Sequence, residues 1–280
     1  MPSLKSTVRT GAAQLRRFVP ARLAPAIAER RAAQVMAIDW YREAQEAEMR
    51  HLLEFTDRAD EVPELAHRYA VETMLKAHLS WHPRLVTGEP VRGIEWLTTK
   101  RDPNRPVVLS FFHHWRYEGL FKALKKRGVD IDIMITPLWL DKTITPQLRH
   151  HLNIFASGGR MVPALGGTDK FVEMLKPGVV LAIASDFPGQ TEVTFLGRRV
   201  RGSFGAARIA VAANAQVVLV RALRDEDGSS YFQVDPPLEP SDFDGPRELL
   251  DRILERHGEA VLAWPEVLDT PTARFAPLDT

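Results

Sequence analysis

The run His113-His114-Trp115-Arg116-Tyr117-Glu118-Gly119 sets a histidine and a carboxylate apart by four residues. An imidazole titrates near neutrality and can take a proton from a hydroxyl or an amine. A carboxylate beside it fixes its tautomer and steadies the imidazolium. Such a pair is equipped for general-base chemistry. The same spacing occurs again at His67 and Glu72. That second pair falls inside a helix expected from Pro63 to about residue 80, where side chains five apart diverge, because neighbours on a helix face stand three or four apart. It reads as a solvated helix surface. His113 and Glu118 span a strand-to-helix turn, where the two can converge.

The strand is the apolar run Val107-Val108-Leu109-Ser110-Phe111-Phe112, opened by Pro106 and rich in β-formers. The helix starts near Arg116, with Tyr117, Leu120, Phe121 and Leu124 at helical spacing. Lys125, Lys126 and Arg127 occupy its last turn and Gly128 stops it. A histidine at the carboxyl end of a strand stands where open α/β sheets bind ligands. Further strands are expected at residues 131–136, 178–184, 216–223 and 230–235, alternating with helices at 143–156, 167–176, 203–213 and 246–257. Asp244 is placed to cap the last helix, Pro246 occupies its first turn, and Leu249, Leu250, Ile253 and Leu254 form its apolar face. Upstream, residues 25–60 read as helix. The pattern predicts an α/β fold, a mixed, largely parallel sheet flanked by helices, after an N-terminal helical region. We divide the chain into a helical region at 1–90 and an α/β domain at 91–280.

The 280 residues are 45% apolar and 26% charged, ordinary for a globular protein. A net charge of +1 gives no reason to expect nucleic acid. Cysteine is absent, which excludes disulfides, thiolate metal sites and a cysteine acyl-enzyme. No His-Glu-x-x-His pattern occurs, and the adjacent His150-His151 falls in a helix where neighbours diverge, so no metal site is expected. No run approaches a membrane span and no signal peptide stands out. We expect a cytoplasmic protein, or one peripheral on the cytosolic face of the inner membrane. Residues 1–31 carry Lys5, Arg9, Arg16, Arg17, Arg22, Arg30 and Arg31 against a single Glu29, interleaved with apolar residues. This segment fits two uses equally: a basic contact with an anionic bilayer, or an arm packed on the domain.

In order along the chain come Gly93-Ile94-Glu95, the strand, His113 and Glu118, Gly166-Gly167, Met174-Leu175-Lys176-Pro177-Gly178, a strand ending at Asp186, Val193-Thr194-Phe195-Leu196-Gly197, a small-residue helix and Pro236-Pro237-Leu238. Over residues 90–240 this series resembles the lipid A biosynthesis acyltransferases, within the lysophospholipid acyltransferase-like group. The chain departs from that pattern in three ways. It lacks an N-terminal hydrophobic helix. The tryptophan-rich ending is only loosely echoed by Ala263-Trp264-Pro265-Glu266 and Ala273-Arg274-Phe275. His114, Trp115 and Arg116 replace the usual small residues and Asn between His and acid.

The resemblance implies a glycerolipid acyltransferase-like fold. It also implies transfer of a fatty acyl group from an acyl-carrier-protein or coenzyme A thioester to a hydroxyl or amine. His113 would be the base and Glu118 its partner, with no cofactor and no acyl-enzyme. The absence of a Gly-x-Ser-x-Gly elbow agrees with direct transfer. Asp186 would orient the acceptor or brace the site. Arg198 and Arg199, on a basic hairpin with Arg201, suit a phosphate, Gly197 serves their turn, and Arg116 joins the substrate-binding set. His114 stays open as the base, since His113-His114-x-x-x-Glu118-Gly119 also resembles the HHxxxDG signature of condensation and wax-ester-synthase enzymes. The acceptor would be a lipid, a glycolipid or a specialised metabolite. The other class to weigh is a catalytically silent lipid-binding protein of the same fold.

Overall fold

The computed structural model describes residues 16–140 and 144–278. Three helices lead the chain: α1 (Ala24–Met36), α2 (Asp39–Leu53) and α3 (Val62–Leu79). The continuous helix expected over 25–60 divides at Ile38, whose backbone is extended (φ −95°, ψ 118°). The break lets α1 and α2 both lie against α3. The short α4 (Pro83–Val86) follows, then β1 (Val91–Arg92) and β2 (Val107–Phe111). Alternation continues through α5 (Tyr117–Lys125), β3 (Asp132–Ile135), α6 (Pro146–Ala156), β4 (Arg160–Pro163), α7 (Gly167–Met174) and β5 (Val180–Ala184). A hairpin of β6 (Thr191–Phe195) and β7 (Arg198–Gly202) precedes α8 (Gly205–Ala212), β8 (Gln216–Arg224), β9 (Ser230–Val234), α9 (Pro246–Ala263) and α10 (Pro271–Arg274).

The main sheet has the order β1-β9-β8-β2-β5-β3-β4, with β6 and β7 paired separately. β2 lies in the middle, parallel to β8 on one side and β5 on the other; β9 runs antiparallel to β8. The expected α/β architecture is therefore present. All five residues of β2 are buried, as its unbroken apolar run requires of a strand covered on both faces.

Side-chain alternation splits the core in two. Val107, Leu109 and Phe111 face Leu120, Phe121 and Leu124 of α5 and Phe155 of α6. Val108 joins the opposite cluster with Ile209 of α8 and Leu249, Leu250 and Ile253 of α9. Burying each such aliphatic or aromatic side chain contributes roughly 1.5–3 kcal/mol. The parity carries past the strand: His113, two residues beyond Phe111, continues the face that α5 and α6 cover.

Two helix ends show how local chemistry sets the frame. Gly128 closes the turn after α5 at φ +85°, the left-handed conformation expected of a helix stop. At α9 the expected Asp244 cap is absent. Gly245 occupies that position, and Asp244 instead donates its own N–H to the Glu248 carboxylate at 2.7 Å. Within α5, a Cβ built on Gly119 would overlap the Val86 carbonyl, so α5 seats against α4 only because this residue lacks one. Gly119→Ala is expected to cost about 1–3 kcal/mol, read as a fall in the thermal midpoint. An unchanged midpoint would mean that the two helices do not meet there.

Candidate active site

The chain leaves β2 through a turn in which Trp115 (φ 38°) and Arg116 (φ 35°) are both left-handed. Each such residue without glycine's freedom costs on the order of 1–2 kcal/mol, so something must hold the turn. The segment 264–269 does. Trp115 N–H donates to the Val267 carbonyl at 3.2 Å, and Asp269 N–H donates to the His113 carbonyl at 2.9 Å. The Trp115 and Trp264 rings pack at a 39° tilt with centroids 4.3 Å apart. A clamped, strained turn fixes the direction of His113.

The partner of His113 is Asp186. In the parallel pairing of β2 with β5, Phe111 stands opposite Ala184. Two residues on, each strand has become a loop, and His113 and Asp186 remain opposite. The carboxylate accepts the His113 N–H at 2.7 Å through one oxygen and meets Nδ1 at 2.8 Å through the other. With Nδ1 donating to this acceptor, Nε2 carries the lone pair. Nε2 has no hydrogen-bond partner among the described residues. Burial lowers the His113 pKa, which outweighs the opposing pull of Asp186, and Arg274 adds to the lowering. The lowering favours the neutral imidazole, the form a base needs. Burial alone would raise the Asp186 pKa, but His113 and Arg274 hold it below the ordinary carboxylate range.

A line of charges continues from this pair. Arg274 Nε lies 3.5 Å from Asp186, and its Nη2 lies 2.9 Å from Asp269. Asp269 in turn meets Lys76 Nζ of α3 at 3.1 Å. Burial disfavours the Lys76 charge, yet Tyr117, Glu118 and Asp269 overcome this and raise its pKa. Tyr117 touches both groups: its ring is 4.5 Å from the His113 ring, and Lys76 Nζ sits 4.7 Å from its centroid.

Glu118 does not brace His113, contrary to the expectation from spacing. Asp186 already engages both His113 donors on its side. Glu118, in the first turn of α5, instead lies 4.0 Å from His151 Nδ1 of α6. The residue is 3% exposed, and Oε2 has no hydrogen-bond partner among the described residues. The carboxylate forms part of the wall of a cavity of about 60 Å³ that also includes Glu72, Lys76, Arg116, Glu266 and Asp269.

The remaining expected site residues are dispersed. Arg116 belongs to that wall, ion-paired with Glu89 at 2.5 Å and lying over the Trp115 ring. His114 is turned to the Trp264 carbonyl at 2.9 Å, and burial lowers its pKa to about 4. It supports the clamp, so the reading with His114 as base loses ground to His113. Arg198 pairs with Glu54 and donates to the His51 carbonyl at 3.1 Å, which ties the hairpin to α2. Arg199 pairs with Glu192 across the hairpin, and Gly197 turns it at φ +79°, with Phe55 against it. Neither arginine lines the cavity that Glu118 shares. Of the second His–Glu pair, His67 meets Glu29 at 3.1 Å. Glu72 is not simply solvated: burial and the neighbouring Glu266 raise its pKa to about 7.

Lys76, His151, Asp269 and Arg274 were not anticipated as site residues. They come from α3, α6 and the C-terminal segment, and no local motif joins them. Only the two strand ends carried a usable signal, since a parallel partner of β2 ending in Asp places that carboxylate opposite His113. No group of three or more His, Asp or Glu side chains among the described residues is arranged to hold a metal ion. What the geometry offers is a neutral imidazole, oriented by a buried carboxylate, at the carboxyl edge of a parallel sheet.

A search of curated proteins finds no match. The family described as bacterial lipid A biosynthesis acyltransferase has a model that matches residues 61–267. That span is well over half the chain and holds α3, the whole sheet, His113 and Asp186, so the chain belongs to the bacterial lipid A biosynthesis acyltransferase family.

Proposed function

We propose that the protein moves a fatty acyl group from an acyl-carrier-protein or coenzyme A thioester to a hydroxyl or amine of a lipid, glycolipid or related acceptor. His113 acts as general base, and Asp186 takes the orienting role first assigned to Glu118. The observation that carries this reading is the buried His113–Asp186 pair at the carboxyl ends of β2 and β5, in a chain of an acyltransferase family. The acceptor presents its hydroxyl or amine to Nε2 of His113. Its oxygen or nitrogen forms a bond to the thioester carbonyl carbon while its proton passes to Nε2. The carbon–sulfur bond then breaks, and the imidazolium returns the proton to the departing sulfur. Asp186 stabilises the imidazolium between these steps.

The test is release of free thiol from long-chain acyl donors of both kinds, with the acylated product identified by mass spectrometry. Turnover is expected with at least one donor. Binding of fatty chains with no turnover on either would instead establish the silent lipid-binding protein.

Among the described residues no helix is long and apolar enough to cross a membrane. We place the protein peripherally on a cytosolic membrane face, contacting it through the basic residues of 1–31. Lys5 and Arg9 of that segment lie outside the described residues; Phe18 and Leu23 within it are exposed. Removing residues 1–15 leaves α1 whole and is expected to reduce pelleting with anionic liposomes. Equal pelleting would count against this contact.

A further inference from the structure

Three neighbouring strands end in exposed apolar residues. Phe111 of β2 stands opposite Ala184 of β5. β5 pairs with β3 at Ile133 and Ala182, and β3 with β4 at Ile135 and Pro163. Phe111, Ala184, Ile135 and Pro163 therefore lie abreast, and the residues just beyond them share the edge that carries His113. Beyond β5 stands Phe187, directly after Asp186; beyond β3 stands Leu138, and beyond β4 Leu165. They are 44%, 78% and 53% exposed. Leu140 is exposed beside Leu138, while Trp139 between them turns onto His151 and Phe155 of α6. Ala164 N–H donates to the Ile135 carbonyl at 2.8 Å, which holds the end of β4 to the end of β3.

Charge separates the two ends of these strands. Asp130, Asp132, Arg160 and Lys176 stand at the amino ends, with Asp132 and Arg160 ion-paired. At the carboxyl ends, residues 133–140 and 161–168 carry no charge. Within 177–191 only Asp186 does, fully buried against His113. Large exposed apolar side chains gathered on an uncharged edge mark a surface that something apolar covers.

The make-up of the edge selects the occupant. Side chains this exposed protrude rather than enclose, which does not suit a single acyl chain. An anionic protein surface would need basic partners, which the edge lacks. Four such side chains at about half exposure offer roughly 400 Å². That is about half of the roughly 800 Å² per partner in a stable protein interface. A bilayer requires no matching shape, since each apolar side chain gains by entering it. The start of the chain adds the complementary charge. Arg16 Nη1 donates to the Ala77 carbonyl of α3 at 3.5 Å. Just past α3, Trp81 stacks on His150 of α6 with centroids 4.7 Å apart, and the adjacent His151 meets Trp139. The segment that carries exposed Phe18, Arg22 and Leu23 is thus joined through α3 and α6 to the turn that carries Leu138. Basic and apolar groups side by side hold a peripheral protein to an anionic bilayer.

We propose that the carboxyl edge of β5, β3 and β4 is a bilayer seat, with Phe187, Leu138 and Leu165 inserted among the lipid chains. The seat brings the membrane alongside the edge that carries His113 and Asp186. It is a second, apolar contact beyond the basic one of residues 1–31, and it does not depend on acyl transfer.

The absence of cysteine gives the test a clean background. Leu138→Cys, Leu165→Cys, Phe187→Cys and, at the exposed amino edge, Asn104→Cys each take one nitrobenzoxadiazole label on the full chain. Vesicles of phosphatidylcholine with phosphatidylglycerol are added at low salt and at about 1 M salt, where charges are screened beyond about 3 Å. The labels at 138, 165 and 187 are expected to brighten and shift to the blue at both salts, and the label at 104 to stay unchanged. The folded triple variant Leu138→Ser/Leu165→Ser/Phe187→Ser, checked by its melting curve, is expected to partition at least about tenfold more weakly at high salt. Unchanged labels at the three positions overturn the proposal, as does an equal response at 104 or undiminished pelleting of the triple variant. Label changes that follow protein concentration without vesicles assign the edge to a second copy of the chain and overturn it too. Removing residues 1–15 is expected to lower pelleting at low salt only. Thiol release is measured separately: its absence sinks the acyl-transfer reading and leaves the seat, whereas silent labels with full turnover sink the seat alone.

Discussion

His113→Ala is expected to lower thiol release from a long-chain acyl thioester by about 10²–10⁴-fold, the usual contribution of a positioned general base. An alcohol is a poor nucleophile at neutral pH, and the His113 ring, held through Nδ1 by the buried Asp186 carboxylate, offers an oriented lone pair at Nε2. The residue is 5% exposed, so loss of its ring also leaves a small void. A melting curve and circular dichroism are needed to separate lost chemistry from lost structure. In the unaltered enzyme the His113 pKa is lowered mainly by burial. The acid limb of the pH–rate profile is therefore expected below about 6.5, the ordinary imidazole value. A folded variant that releases thiol at the original rate would remove the mechanism.

Asp186→Asn is expected to cost about 10³–10⁴-fold in kcat with little change in KM, because an amide cannot accept both His113 donors at once. Wherever its NH2 group faces, it sets a donor against a donor or turns the imidazole into the wrong tautomer. By contrast, Glu118→Gln leaves the His113–Asp186 pair in place and should lower kcat far less. A larger fall in kcat for Glu118→Gln than for Asp186→Asn would restore the dyad expected from spacing.

Asp186→Asn also changes the response to acid, and the sign follows from the direction of the shift. Burial works against its ionised form, but His113 and Arg274 hold its pKa in the folded protein below the ordinary carboxylate value. Its contribution to stability is present above about 4, the unfolded carboxylate value, and is lost as the pH falls toward the folded one. The amide variant is expected to show a shallower loss of stability over that window. Identical acid unfolding of both proteins would mean that Asp186 is not held ionised by its neighbours.

What the sequence determined by itself was the frame. The apolar run at 107–112 is buried across its full length as β2, because no solvated strand tolerates such a run. Tyr117, Leu120, Phe121 and Leu124 lie on the buried face of α5, as their helical spacing demands. Gly128 stops that helix through a backbone angle that few other residues adopt. His113 could be singled out because a histidine at the end of such a strand is a local feature. Its partner is not local. Glu118 is near in the chain, but the first turn of α5 carries it toward His151, whereas the register of β2 against β5 brings Asp186 to His113 from 73 residues away. Strand order, register and the closure of the segment 264–274 over the turn are properties of packing between distant elements. No spacing along the chain encodes them one residue at a time, so the tertiary structure alone decided which carboxylate faces the imidazole and which faces the cavity.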